Sequence, residues 1–261
     1  MTTLVFDIET IPDVDSGRRI YNLEGLTDRE VAEVMFIKRR QDTGGTSDFL
    51  RHHLHRIVAI SVVLATRDKL NVWSLGEATS GEAELIQRFF EGVEKYTPVL
   101  VSWNGHGFDL PVLHYRALLH GVASPRYWET GEDDQAFRWN NYLSRYHKRH
   151  TDLMDIISGY EYRAVAPLNE IAGMLGFPGK MGMDGGRVWD CYQNGEIEAI
   201  RNYCETDVLN TYLIYLRYEK IRGRYSESEH HRECERLKQM LRGAGRAHLH
   251  EFLRIWDCVA P

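Results

Sequence analysis

The sequence predicts an α/β domain built on one mixed sheet with helices on its faces. Three observations carry that expectation. Short runs rich in β-branched residues alternate with longer stretches of helical periodicity, in the order strand, hairpin, helix, strand, helix, strand, helices. At 261 residues and 43% hydrophobic, the chain can bury a full core, and its length favours one elaborated domain over two. No internal repeat or low-complexity block breaks the pattern.

The first strand is predicted over Thr3–Glu9, where LVF leads into two acids. Ile57–Thr66 and Leu70–Leu75 are β-branched runs joined by the polar link Arg67, Asp68 and Lys69, which predicts a hairpin. Between the first strand and the hairpin lies an insertion of about residues 13–56, with a helix over Asp28–Arg40, the loop DTGGTSD and the basic run RHHLHR. Thr79 with Glu82 fits a capping box for a helix reaching Tyr96, in which Leu85, Ile86, Phe89, Phe90 and Val93 recur at helical spacing. Pro98 stops it. Val99–Trp103 is a short buried strand, and Leu110–His120 a helix ending at Gly121. A second insertion, at about residues 122–149, reads as irregular. Thr151–Ile157 predicts another strand, and Pro167–Leu175 a short helix closed by Gly176. The glycine-rich loop GFPGKMGMDGG follows, then helices from Val188 and over Glu196–Arg222. Residues 1–225 form the main domain, and 226–261 a polar helical extension packed on it.

A formal net charge of −6 gives no global basic field, which excludes a histone-like or tail-type binder but not an enzyme that grips a few phosphates locally. No stretch approaches the roughly 18 apolar residues of a membrane span, and the amino terminus lacks the basic start of a signal peptide. Cys191, Cys204, Cys234 and Cys258 show no CxxC spacing, so they are expected to be free thiols of a cytoplasmic protein rather than a zinc site.

Side chains two apart on a strand leave the same face, so Asp7 and Glu9 project together. Two neighbouring carboxylates repel, and one pKa rises unless a cation neutralises both. Mg²⁺ or Mn²⁺ is the natural partner, and ligand sites of open α/β sheets gather at strand carboxyl ends. Solvated acids on an exposed strand end are the plain rival. Asp109, in SWNGHGFDLPVL, follows a buried strand and opens a helix, where a simple N-cap role is equally open. Tyr203 and Asp207, four apart on a helix in NYCETDVLNTY, share a face.

The three segments FDIET, NGHGFD and YCETD resemble the exonuclease motifs of DEDDy-type 3′–5′ exonucleases, in the DnaQ-like branch of the ribonuclease H-like superfamily. The resemblance covers roughly Thr3 to Arg222 and is to the proofreading domain of family-B DNA polymerases, here as a stand-alone protein. It implies a mixed sheet whose first three strands are antiparallel. It also implies two divalent cations, Mg²⁺ or Mn²⁺. Asp7, Glu9 and Asp207 would hold one, Asp7 would bridge to the second, and Asp109 would stand near by. Tyr203 would orient the attacking water, since a phenol of pKa about 10 is a poor base at neutral pH.

The expected substrate is the 3′ end of single-stranded DNA or RNA, with DNA favoured, and no membrane is involved. Thr10, Ile11, Asn104 and Phe108 are candidate contacts to the terminal nucleotides, each with ordinary packing as its rival. Lys180, in the glycine-rich loop, is a candidate phosphate contact or a plain surface lysine. Asp152 and Asp155 are assigned structural roles. The runs RHHLHR and RYHKRH are read as basic patches that track phosphates, or as solvated loops. An RNA or short-oligonucleotide exonuclease of the same mechanism, a catalytically idle binding module and a Mg²⁺-dependent haloacid-type phosphatase are the competing functions.

Overall fold

The computed structural model describes residues 2–259. The expected alternation is present. Strand β1 (Thr3–Pro12) is followed by helices α1 (Val14–Tyr21) and α2 (Asp28–Asp42), then by the hairpin β2 (His55–Ala65) and β3 (Leu70–Ser74). Next come α3 (Glu82–Tyr96), β4 (Val99–Ser102), α4 (Asp109–His120), α5 (Pro125–Trp128), β5 (His150–Asp152) and α6 (Leu153–Ile157). The chain closes with α7 (Leu168–Met174), α8 (Val188–Gln193), the long α9 (Ile197–Ile221), α10 (Glu227–Gly243) and α11 (Ala247–Val259).

The sheet order is β3-β2-β1-β4-β5, with β1, β2 and β3 antiparallel and β4 and β5 parallel to β1. This is the mixed α/β sheet expected, with its first three strands antiparallel. Each face of β1 has its own core, as the period of two requires. Leu4, Phe6 and Ile8 pack with α3 and α4 residues such as Phe89, Phe90 and Leu113. Val5 packs on the opposite side with Val208, Leu209 and Leu213 of α9. Asp7 and Glu9 continue the Val5 side, so they point toward α9. The register shifts just past Glu9: Glu9 pairs with Ala59 and Thr10 with Ile57, leaving Val58 as an extra residue in β2. Such a bulge bends the strand and re-aims the side chains beside it.

Helices α10 and α11 supply Leu237, Leu241, Leu249, Phe252 and Trp256 to the core that α9 shares with the sheet. Buried Glu205 of α9 accepts from the Ser74 backbone at 2.9 Å and pairs with Arg246 and His248, each at 2.8 Å. These bonds fix the rotation of α9, and therefore the face it turns to β1.

Several expectations are corrected. The Thr79–Glu82 capping box does not form. Gly81 is the N-cap of α3, and the Glu82 carboxylate is drawn into the interior by the Ile57 N–H at 2.6 Å and by buried Arg116. The strand expected over Thr151–Ile157 stops at Asp152, whose carboxylate accepts from the Met154 and Asp155 N–H groups and so starts α6. The first insertion contains an unexpected helix, α1, capped by Asp13, whose carboxylate accepts from Ser16 N–H at 3.1 Å. The second insertion is mostly irregular, yet it delivers Tyr127, Phe137 and Tyr142 fully buried to the core.

Candidate active site

Strand β1 carries Asp7 and Glu9 toward α9, and α9 answers with Tyr203, Cys204 and Asp207. Donor atoms of Asp7, Glu9 and Cys204 all lie within 4.8 Å of one another. The Cys204 thiol sits 3.4 Å from both Asp7 Oδ2 and the Asp7 carbonyl. Asp109 comes from the other direction, over the end of β4. Its carboxylate accepts from the Ile8 N–H at 3.2 Å, between the two β1 acids in sequence. The N-cap of α4 is Phe108, and Asp109 is the first helical residue, so the simple N-cap reading of Asp109 does not hold. Tyr203 and Asp207, one helical turn apart, lie close enough that each side chain shifts the pKa of the other.

Electrostatics shows how closely these groups crowd. Burial pushes the Asp7 carboxyl well up, and the charges of Asp109 and Asp207 push it further. Glu9 is likewise raised by burial, then by Asp7, Asp207 and Asp109. Burial raises Asp109 to about 7, with Asp152 adding to the effect. Asp207 rises to about 6 by burial, partly offset by the neighbouring Tyr203 side chain and by the charge of Lys180. The Tyr203 phenol is driven far above its ordinary value by burial and by the Asp207, Glu9 and Asp7 charges, so it stays protonated. No salt bridge among the described residues reaches Asp7, Glu9, Asp109 or Asp207. Four buried or half-buried carboxylates without a paired cation are unfavourable when ionised, and hard oxygen donors of this kind suit Mg²⁺ or Mn²⁺. The residues therefore fit a divalent-cation site by the chemistry of their donors.

The loop that delivers Asp109 is itself held. Asp152 accepts from the backbone N–H groups of Asn104 and His106, each at 2.9 Å, which gives it the structural role expected. Asn104 takes a left-handed conformation at φ 65°, one that asparagine tolerates better than most residues. Phe108 lies among Phe49, His52 and His55, at 5.4, 5.9 and 5.1 Å between ring centres. Thr10 Oγ1 is 2.9 Å from His55 Nδ1, and Ile11 packs with Val188, Ile200 and Cys204. Asp155, also expected to be structural, pairs with Arg145 at 2.7 Å.

Lys180 is exposed, yet its loop is fixed. Asn210, one turn beyond Thr206 on α9, accepts from Gly179 N–H at 3.1 Å and donates to the Gly179 carbonyl at 3.0 Å. Lys180 thereby stays near enough to Asp207 to lower its pKa.

The histidine runs, expected as basic patches or solvated loops, keep Arg51, His53, Arg145 and Lys148 exposed but turn two histidines inward. His55 and His150 are buried, and burial lowers both pKa values, that of His55 to about 4. His150 is spanned by Ser102 at 2.7 Å and His106 at 3.0 Å, and His52 binds the Gly107 carbonyl at 2.8 Å. They serve the architecture of the Asp109 loop. Cys204, Asn210 and His55 were not legible as site residues: each depends on which helix turn or loop faces it.

A family model described as a predicted 3′–5′ exonuclease related to the exonuclease domain of PolB matches residues 47–256. The match includes Asp109, Tyr203 and Asp207, while Asp7 and Glu9 precede it. Among solved structures, the family B DNA polymerase from the hyperthermophilic archaeon Pyrobaculum calidifontis is similar at 18% identity and a TM-score of 0.47. The similarity covers 83% of this chain and 25% of that one, so the chain spans about a quarter of the polymerase's length. Comparison with curated proteins finds no significant match.

Proposed function

We propose that this chain, which belongs to the family of predicted 3′–5′ exonucleases related to the exonuclease domain of PolB, releases nucleoside 5′-monophosphates from the 3′ end of single-stranded nucleic acid, DNA in preference to RNA. The observation that carries the reading is the clustering of Asp7, Glu9, Asp109 and Asp207: Asp109 bonds to the Ile8 N–H between the two β1 acids, and Asp109 and Asp207 both raise the ionisation cost of Asp7 and Glu9.

Asp7, Glu9 and Asp207 would hold one divalent cation, with Asp7 and Asp109 serving a second. When bound, Mg²⁺ or Mn²⁺ supplies charge neutralisation and an acidified water for in-line displacement at phosphorus. The residues of the chain set up that displacement. Tyr203, protonated and beside Asp207, would orient the water by its hydroxyl. The bond from water oxygen to phosphorus forms as the bond from phosphorus to the 3′ oxygen of the preceding nucleotide breaks, and that oxygen ends protonated. Lys180, held by the Asn210 clamp, offsets negative charge on the Asp207 side. Phe108 and its aromatic neighbours offer a face for unpaired bases, which a duplex end cannot present.

The test is release of nucleoside monophosphates from 3′-labelled single-stranded DNA, single-stranded RNA and dinucleotides, side by side, with Mg²⁺, with Mn²⁺ and with chelator. The reading expects metal-dependent release one nucleotide at a time, fastest on DNA. Internal cleavage, or release that chelator leaves unchanged, would refute it.

A further inference from the structure

The second insertion takes no part in the chemistry above, yet its surface is unlike the rest of the chain. Residues 135–149 carry Arg138, Arg145, Lys148 and Arg149 without one acid, in a protein of net charge −6. Arg149 is turned inward, over buried Phe137 at 3.7 Å. Among the described residues Arg138 and Lys148 pair with no acid, while Arg126 and Arg145 do, with Asp134 and Asp155. Between these cations stand large rings that the core does not cover: Trp139 is 80% exposed and Tyr146 70%. Asn140 joins the two sides of the loop. Its Oδ1 accepts from the Lys148 N–H at 3.0 Å, which sets Lys148 beside Trp139.

This surface begins at the loop that delivers Asp109. Arg145 holds Asp155 of α6 at 2.7 Å, and Asp152 at the start of α6 holds the His106 N–H at 2.9 Å. His106, three residues before Asp109, lies close enough to Arg145 and Asp155 to feel both charges. Tyr160, just past α6, extends the patch. Its ring centre is 5.1 Å from that of Tyr146, with the planes tilted by 58°, and Arg145 lies 5.5 Å from it. The tilt keeps either ring from covering the other's face. Tyr160 also holds φ 62°, a left-handed conformation rare for an aromatic residue, while its ring stays exposed. Strain held at an exposed ring points to a use for that ring. From there the patch runs past Lys148 and Trp139, outside the edge strand β5. The exposed acids Glu132 and Asp133 lie at the far end, where Gly131 touches Arg138, so the cationic path is that of Arg145 and Lys148.

Resting on the exonuclease reading above, we propose that the second insertion is a track for the strand upstream of its 3′ end: Tyr160, Tyr146 and Trp139 stack unpaired bases while Arg145 and Lys148 follow the phosphates. Exposed rings interleaved with cations bind single strands of any sequence, because every base has a face to stack and every linkage a charge. The track makes strands that reach beyond the acids better substrates than dinucleotides, which end before it.

The experiment titrates a 5′-labelled DNA strand of about twelve nucleotides with the full chain in chelator, so that binding is read by fluorescence anisotropy without hydrolysis. Trp139→Ala and Tyr146→Ala are each expected to weaken binding by about 10-fold, the worth of one stacked base. Both residues are exposed, so both variants are expected to melt like the wild type. Lys148→Ala is expected to flatten the slope of log K against log salt by about 0.7, the share of one phosphate contact on a single strand. With Mg²⁺, kcat/KM on the long strand is expected to exceed that on a dinucleotide by about 10-fold or more, and Trp139→Ala to cut that ratio by about 10-fold. Unchanged strand binding in all three variants, or equal kcat/KM on the two substrates, would overturn the proposal. So would a Trp139→Ala protein that binds DNA normally but changes from dimer to monomer in sedimentation, since the patch would then belong to a second copy of the chain. Metal-dependent release by variants that bind like the wild type removes the track alone. Strand binding that follows these expectations without release of monophosphates leaves the track standing and removes the exonuclease reading.

Discussion

Asp109→Asn is expected to stabilise the metal-free protein while ruining its activity. The Asp109 carboxyl is only 4% exposed and is raised by burial to about 7. Asparagine keeps the oxygen that accepts from Ile8 N–H and removes the charge. An aspartate raised from its unfolded value near 3.9 to about 7 stabilises the fold fully below about pH 4, and that contribution is lost as pH rises through 7. At about pH 8 the loss is on the order of 4 kcal/mol, and allowing about half for water penetration and relaxation leaves about 2 kcal/mol. For a chain of this size that corresponds to about 4–8 °C in Tm. The assay is thermal unfolding in chelator at about pH 5 and pH 8. The variant should melt several degrees higher than the wild type at the higher pH, and by only about a third of that gap at the lower, where folded Asp109 is protonated but its unfolded counterpart is largely ionised. Adding Mn²⁺ at pH 8 should raise the wild type more than the variant. A variant that melts no higher than wild type at pH 8, or that keeps the same gap at pH 5, would refute the reasoning.

Tyr203→Phe should lower kcat by roughly 10²–10³-fold while Mn²⁺ affinity changes little, since the ring still packs and only the orienting hydroxyl is lost; near-normal single-turnover rates would count against its role. Asn210→Ala removes the clamp on Gly179, and with it the placement of Lys180. It should cost about 10-fold in kcat/KM, and combining it with Lys180→Ala should add little, whereas full additivity would mean that the clamp does not act through the lysine. Arg116→Ala takes the guanidinium from two buried acids, leaving Asp13 without a cation and Glu82 with His120 alone, so it should destabilise by about 3–5 kcal/mol in urea titration. A loss below about 1 kcal/mol would show that water enters this network.

Much of the architecture is legible because strong local signals agree with it. The alternation of Val5, Asp7 and Glu9 against Leu4, Phe6 and Ile8 fixes which side of β1 the acids take before any partner is known. The helix from Glu196 is equally explicit, with Tyr203 and Asp207 one turn apart. Short segments are less so. TDLMDII has the composition of a strand, but Asp152 bonds to backbone groups on both sides of it and turns the chain into α6 after three strand residues. Thr79 and Glu82 have capping-box spacing, yet a buried arginine 34 positions away competes for Glu82 and wins. The four acids and Tyr203 were readable as a constellation because their spacing recurs in a known motif set. Cys204 beside Asp7, Asn210 on the Gly179 loop and His55 beside Thr10 carry no such pattern. Their roles come from tertiary contacts 31 to 197 residues apart in the chain, which no local period encodes.

The central claim is that Asp7, Glu9, Asp109 and Asp207 form a pocket made for divalent cations. Mn²⁺ binding, followed by electron paramagnetic resonance on the chelator-stripped protein, tests it most directly. The wild type should take up about two ions, as a two-metal phosphodiesterase site requires, and Asp7→Asn should lose both, because it serves each. A wild type that binds no more Mn²⁺ than the Asp7→Asn variant would contradict the account.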